Sequence, residues 1–490
     1  MHTNENGKHE AVIGLEVHVQ LLTKTKIFCS CKNEFGHLPN TLSCPVCLGL
    51  PGSLPVFNKE VLKLVIKIAL ALNCEISNLM KFDRKNYFYP DLPKNYQISQ
   101  YDLPVAKNGF LEIASEGKAK NIRIRRVHLE EDAGKLVHDD NRTGDSFVDF
   151  NRTGTPLAEI VSEPDIFSPE QAYDFLKGLK NTLLYIDVSD CNMEEGSLRC
   201  DANVSVRKIG EKKLGTKVEV KNMNSFKAVK SALEYEIKRQ IDILNAGNAI
   251  AQETRLWDAD KQKTFGMRSK EETEDYRYFP EPDLVPFNIS SLYINDIQKT
   301  LPELPSQKTE RFITKYGLDK KTTDFIISDK YMADFFEQCV ALCGDSKKVA
   351  NWISGSIAME MNSRNVDFLM LTIRPEQIAD LINLVDSQTI SATTAKKVFS
   401  EMLETKELPS LIVDSKKLGQ VSGEAELSAI IDNVLNRNEK SITDYLAGKQ
   451  QAFSFLIGQV MKETSGKANP QVVSKILMQK IKNKKAGKNE

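Results

Sequence analysis

Between Ala11 and Leu22 the chain alternates: Ile13, Leu15, Val17, Val19 and Leu21 fall on one side, Glu16, His18 and Gln20 on the other. A period of two is that of a β-strand with one buried face and one wet face. The pattern recurs in Leu198–Arg207, where Leu198, Cys200, Ala202, Val204 and Val206 oppose Arg199, Asp201, Asn203 and Ser205. It appears again in Thr216–Lys221 and in Ile122–Arg125. Several strands of this kind predict a largely antiparallel sheet with one face on a core and the other lining a polar cleft.

Helices to cover the apolar face are also legible. Asn58 is placed to cap a helix from Lys59 to Asn73. Ser168-Pro169-Glu170-Gln171 combines a capping serine, proline at the first helical position and a capping-box glutamine. Phe226, Val229, Leu233, Ile237 and Ile241 form an apolar stripe that Gly247 ends. After the proline-rich stretch Pro280–Pro305 the alternation stops and helical periods dominate, with a second break around Pro409–Gly423. These breaks predict an α+β body over residues 1–300, a helical connector over 301–414 and a helical tail over 415–490. From Ser415 to Glu490 there are 13 Lys/Arg against 7 Asp/Glu, a net charge of +6, although the whole chain carries −1. A basic end on an acidic body predicts a polyanionic partner.

Two clusters could carry chemistry. Cys29-Ser-Cys31 and Cys44-Pro-Val-Cys47 form two short clips. They suit a closed tetrahedral zinc site; free buried cysteines or a CxxC redox pair compete, but the first clip has no role in such a pair. The zinc would be structural. The second cluster is oxygen-rich: Glu16 and His18 on one strand face, the run His128-Leu-Glu130-Glu131-Asp132, and Glu159 within the strand-like Leu157–Val161. Such a set suits Mg²⁺, and equally suits solvated charges on an exposed sheet face. No GxxxxGK[ST], GxSxG or GxGxxG motif occurs, which removes P-loop, serine-hydrolase and dinucleotide-binding readings. No apolar leader occupies the first ten residues, and the most apolar helix, Val61–Cys74, is broken by Lys63 and Lys67. The expected address is the cytoplasm, with no membrane partner.

Longer runs carry a resemblance. IGLEVHVQL (Ile13–Leu21), KFDRKNYFYPDLPKNYQISQ (Lys81–Gln100), HLEEDAGK (His128–Lys135) and DFNRTGTPLAEIVSEPD (Asp149–Asp165) occur in that order. MEEGSLRCDANVSVR (Met193–Arg207), KNMNSF (Lys221–Phe226), QETR (Gln252–Arg255) and DYRYFPEPDLVP (Asp275–Pro286) follow. Together they resemble the GatB/GatE family of tRNA-dependent amidotransferase subunits, from about Ala11 to the final helix.

The resemblance implies a cradle-shaped kinase domain followed by a helical domain and a small YqeY-like tail that hold tRNA. It implies a carbon–nitrogen ligase using ATP: the side-chain carboxylate of Glu-tRNA(Gln), Asp-tRNA(Asn) or both is phosphorylated, then amidated. Ammonia would come from glutamine through an amidase A-subunit, with a small C-subunit completing a heterotrimer. The family's Mg²⁺ ligands fall on Glu16, His18, Glu131 and Glu159, which are also the expected catalytic positions. Cys29, Cys31, Cys44 and Cys47 occur in some members only, so zinc would be dispensable to the mechanism. A non-catalytic tRNA-binding assembly protein is the alternative, though such a module has no reason to gather carboxylates and histidines.

Overall fold

The computed structural model describes residues 8–115, 117–138, 145–267, 276–419, 424–464 and 468–486. Asp275, Gly423 and Lys488 lie outside the described residues, as do the side chains of Lys484 and Lys485. The chain divides into two compact units, Met1–Pro305 and Ser306–Glu490.

The first unit is built on a nine-stranded sheet. Its strands are β1 (His9–Gln20), β2 (Glu75–Ile76), β3 (Ala106–Ser115), β4 (Lys118–Glu131), β5 (Pro156–Ser162), β6 (Leu198–Lys208), β7 (Val218–Lys221), β8 (Glu253–Asp258) and β9 (Lys263–Gly266). Their spatial order is β9-β8-β7-β6-β1-β5-β4-β3-β2. Neighbours are antiparallel except β7 and β8, which run parallel. Parallel neighbours need a crossover, and the helix Phe226–Asn245 supplies it. The expected antiparallel character therefore fails only where a helix lies between two consecutive strands.

The apolar residues of β1, Ile13, Leu15, Val17 and Val19, are fully buried in one core with those of β4, β5, β6 and β7. Three helices close this face: Lys59–Ala71, Pro169–Tyr185 and Phe226–Asn245. Their starts follow the caps in the sequence. Asn58 Oδ1 accepts from the Glu60 amide at 2.9 Å, and Ser168 Oγ accepts from the Gln171 amide at 3.2 Å. Gln171 Oε1 reaches back one residue further than a capping box requires, to the Phe167 amide at 3.0 Å. At the other end of the third helix, Gly247 takes φ +78°, the left-handed conformation that glycine enters without a Cβ clash.

A separate three-stranded sheet joins Asp83–Asn86 to Tyr96–Ser99 and Arg277–Pro280. Residues almost two hundred positions apart thus meet as cross-strand neighbours, Tyr278 beside Lys85.

The second unit is helical throughout its described elements. Lys308 and Arg311 of the helix Pro305–Tyr316 converge on Glu337 of the helix Lys330–Cys343, at 3.1 and 2.5 Å. Toward the end of the chain, residues from Leu427 to Ile481 gather around a hydrophobic cluster of their own. No helix among the described residues is long and apolar enough to cross a membrane.

Candidate active site and cysteine centre

Sheet register builds the site. His18 of β1 lies opposite Glu159 of β5 and opposite Arg199 of β6, and Glu159 lies opposite His128 of β4. Four side chains therefore form one row across four adjacent strands, on the face away from the helices. Glu130, two residues beyond His128, shares that face. His18 Nε2 lies 3.3 Å from Glu130 Oε1 and 3.6 Å from Glu159 Oε2, and His128 Nε2 lies 2.9 Å from Glu159 Oε2. Donor atoms of His18, Glu130 and Glu159 all fall within 4.8 Å of one another.

The electrostatics of this trio are tightly linked. Burial favours the neutral acids, yet the hydrogen bond and charge of His18 hold Glu130 below the usual carboxylate range. His128 and then His18 overcome the burial of Glu159 and hold it well below that range. Burial opposes a charged His18, but the hydrogen bond to Glu130 and the charges of both glutamates raise it to about 9. A buried and a half-buried carboxylate sharing one imidazole proton form an arrangement that a divalent cation would enter by displacing that proton. Donors 3.3–3.6 Å apart are a few tenths of an ångström wider than the edge of about 3.0 Å of a Mg²⁺ octahedron, so these side chains would draw in slightly to hold the ion. His128 Nδ1 and Asn203 Oδ1 are buried with no hydrogen-bond partner among the described residues, leaving polar capacity on the same face.

Glu16 borders the trio without joining it. Its Oε1 accepts from Asn203 Nδ2 at 2.8 Å, and burial, followed by the charges of Glu159 and Glu219, raises its pKa. Glu131 is the correction to the expected ligand set. Its side chain takes the opposite side of β4 from Glu130, where Lys94 Nζ holds its carboxylate and the Ile98 amide donates to Oε1 at 2.8 Å. A one-residue step along a strand exchanges faces, so Glu130 stands where Glu131 was expected. His128 and Glu130 stand in the oxygen-rich run but not in the ligand set that the resemblance implied; they share one parity along the strand, opposite to that of Glu131, a signal present in the run itself.

Around the trio, Asp132 accepts from Arg199 Nη2 at 2.8 Å and pairs with Arg152 Nε at 3.0 Å. Lys221 Nζ pairs with Asp201 at 2.7 Å, and Asp201 lies opposite Glu16. Arg152, Arg199 and Asp201 line a cavity of about 860 Å³ together with Gln20, Lys24 and Asn222. From the three-stranded sheet, Tyr278 feels the same acids: burial first, then the charges of Glu130 and Glu159, push its phenol up to about 12.

The cysteine clips also meet. All four thiols are free, and their sulfurs lie within 4.8 Å of one another. Cys44 and Cys47 Sγ are 3.9 Å apart. A tetrahedron with metal–sulfur bonds of about 2.3 Å has edges of about 3.8 Å, so the donor set fits zinc. The hydrogen bond from Cys29, with further help from the Cys44 amide and the Lys26 charge, lowers the Cys47 thiol to about 5 despite its burial.

With this geometry in place, comparison with known proteins is direct. The GatB/GatE catalytic domain matches residues 11–295, more than half of the chain. The chain belongs to the GatB/GatE family. A second GatB domain matches residues 334–481. Among the relatives, the B-subunit of the aspartyl/glutamyl-tRNA(Asn/Gln) amidotransferase of Caldanaerobacter subterraneus subsp. tengcongensis is 55% identical over 97% of this chain and 99% of its own. The proteins of the same name from Carboxydothermus hydrogenoformans and Persephonella marina are 54% and 52% identical, over 97% and 96% of this chain and 99% of each of theirs. The GatB/GatE catalytic match contains His18, Glu130, Glu159 and all four clustered cysteines, and the GatB domain match lies within the helical unit.

Proposed function

We propose that this chain is the ATP-using component of a tRNA-dependent amidotransferase, and that it activates the side-chain carboxylate of Glu-tRNA(Gln), Asp-tRNA(Asn) or both. The observation that carries the reading is the convergence of His18, Glu130 and Glu159, with Arg199, the cross-strand neighbour of His18, lining a cavity of about 860 Å³. In the reaction, a carboxylate oxygen attacks the γ-phosphorus of ATP, the bond to ADP breaks, and an acyl phosphate forms. Ammonia then attacks the acyl carbon, and phosphate leaves with the excess proton.

Residues on this face fit the demands of that step. Mg²⁺, held by His18, Glu130 and Glu159 with Glu16 alongside, would neutralise the phosphate charge that grows during transfer. Asp132 holds Arg152 and Arg199 side by side at the cavity wall, so two guanidinium groups are fixed where a triphosphate needs cations. The described part of the chain presents no amidase-like serine motif, which accords with ammonia arriving from an amidase A-subunit in a complex completed by a small C-subunit. We assign zinc at Cys29, Cys31, Cys44 and Cys47 a structural role. The division into a cradle over 1–300, a connector over 301–414 and a YqeY-like basic tail over 415–490 belongs to the same proposal, with tRNA phosphates as the tail's ligand. The proposed compartment is the cytoplasm.

The test is amidation of each misacylated tRNA by the reconstituted three-component complex, with glutamine and ATP. Formation of Gln-tRNA(Gln) or Asn-tRNA(Asn), with ADP released in equal amount, is expected. Amidation that proceeds without ATP, or survives loss of Glu130, overturns the reading.

A further inference from the structure

Lys26 lies just before the first cysteine clip, and its side chain is fully enclosed, with 0% exposure. Its Nζ donates to the Leu42 carbonyl at 2.6 Å and lies 3.9 Å from Cys47 Sγ. An enclosed ammonium is expensive to desolvate unless negative charge stands beside it. Among the described residues, no carboxylate lies within ion-pair distance of Lys26. The negative charge at hand is that of the cysteines.

A four-thiolate zinc centre has the converse problem. Zn²⁺ with four thiolates carries a net −2, and here that charge would sit on sulfurs that are buried or half-buried. The fold closes over both groups at once. Gly154 has φ +82°, and a Cβ added there would stand 3.3 Å from Cys47 Cβ and 3.5 Å from Lys26 Cδ. The Ile27 amide donates to the Gly154 carbonyl at 3.0 Å, tying the lysine's loop to that turn.

We propose that Lys26 is the built-in counter-ion of the cysteine centre, donating to the Cys47 thiolate and offsetting part of the −2 charge of bound zinc. The proposal rests on the zinc reading of the four cysteines. Lys26 is here a positioning and charge-compensating residue: it binds no metal itself and sets how tightly the thiolates hold it. Outer-sphere partners of this kind are typically worth 10- to 100-fold in metal affinity.

The experiment is a chelator competition on the full-length chain in its complex, comparing wild type with Lys26→Gln and Lys26→Met. Co²⁺ replaces zinc in a parallel series, so that the sulfur-to-cobalt charge-transfer band reports the thiolates directly. Glutamine can still donate to the Leu42 carbonyl, so a lysine that merely pins that loop predicts unchanged affinity in Lys26→Gln. The proposal expects about 10- to 100-fold weaker zinc binding in both variants and a shifted cobalt band. Should the single variants be too unstable to isolate, Lys26→Arg keeps the positive charge beside Cys47 and should give soluble protein with zinc affinity near that of the wild type. Zinc binding in Lys26→Arg as weak as in the uncharged variants overturns the proposal, as does wild-type affinity in Lys26→Gln. Wild type that holds no zinc and shows no cobalt band overturns the metal reading, and the counter-ion with it.

Discussion

Glu130 and Glu131 are consecutive in one strand and point to opposite sides of it. Glu130 Oε1 lies 3.3 Å from His18 Nε2, whereas Glu131 is gripped by Lys94 and by the Ile98 amide at 2.8 Å. The two carboxylates therefore serve different ends, one exposed to the chemistry of the polar face and one tying β4 to the segment Lys94–Ser99.

Exchanging each for glutamine should separate these roles. Glu130→Gln removes a charged donor from the trio; we expect ATP-dependent amidation to fall at least 100-fold and the Mg²⁺ requirement to rise, while glutamine hydrolysis by the amidase partner persists. Glu131→Gln leaves an enclosed Lys94 without its charge partner, a change that costs roughly 3–5 kcal/mol when a buried pair is broken. Its signature is a lower melting temperature with the Mg²⁺ dependence unchanged. Equal Mg²⁺ titrations for the two variants would rule out the division.

Acid should loosen the helical unit through Glu337. Burial works against its charge, but Arg311 and Lys308 lower its pKa from about 4.5 to about 2. A depressed folded-state pKa contributes stability that is present above pH ~4.5 and lost as pH falls toward 2. Urea unfolding of the wild type should thus weaken between pH 5 and pH 3 more than that of Glu337→Gln, in which the group no longer titrates. Parallel pH profiles would exclude this network as the source.

Zinc should be present at one ion per chain by elemental analysis of the purified protein. Cys44→Ser should lower that content and the melting temperature before it touches the rate of amidation, because the four-sulfur set leaves no open position for substrate. Zinc content unaffected by Cys44→Ser would remove the site.

Removing residues 415–490 should raise the apparent KM for misacylated tRNA and flatten its salt dependence. Each lysine–phosphate contact releases condensed counterions, so fewer contacts give a shallower slope. Lys480 is already paired with Asp432, which leaves it a smaller share of that effect than the net charge of the tail suggests. Lys475 and Lys482 are the better single substitutions. Unchanged tRNA affinity and salt slope in the truncated complex would restrict the positive charge to solubility.

What the residues determined by themselves is local. Period-two alternation marked β1 and β6, because a strand with one buried face has no freedom to place its apolar side chains otherwise. Side-chain caps at Asn58 and Ser168 marked helix starts, because orphan amides at a helix end need an acceptor within three residues. The clip spacing of Cys29, Cys31, Cys44 and Cys47 likewise announced a shared centre. Tertiary structure decided what depends on strand order and register. Nothing in the order of residues states that β1 lies between β5 and β6, and only that placement sets His18 opposite Glu159 and Arg199. Parity against those neighbours selected Glu130 over Glu131, and the enclosure of Lys26 beside Cys47 arose from a turn at Gly154 more than a hundred residues away in the chain. Long-range register is a property of the whole packed core, since each strand's position is fixed by the apolar faces of the others, and no local pattern encodes it.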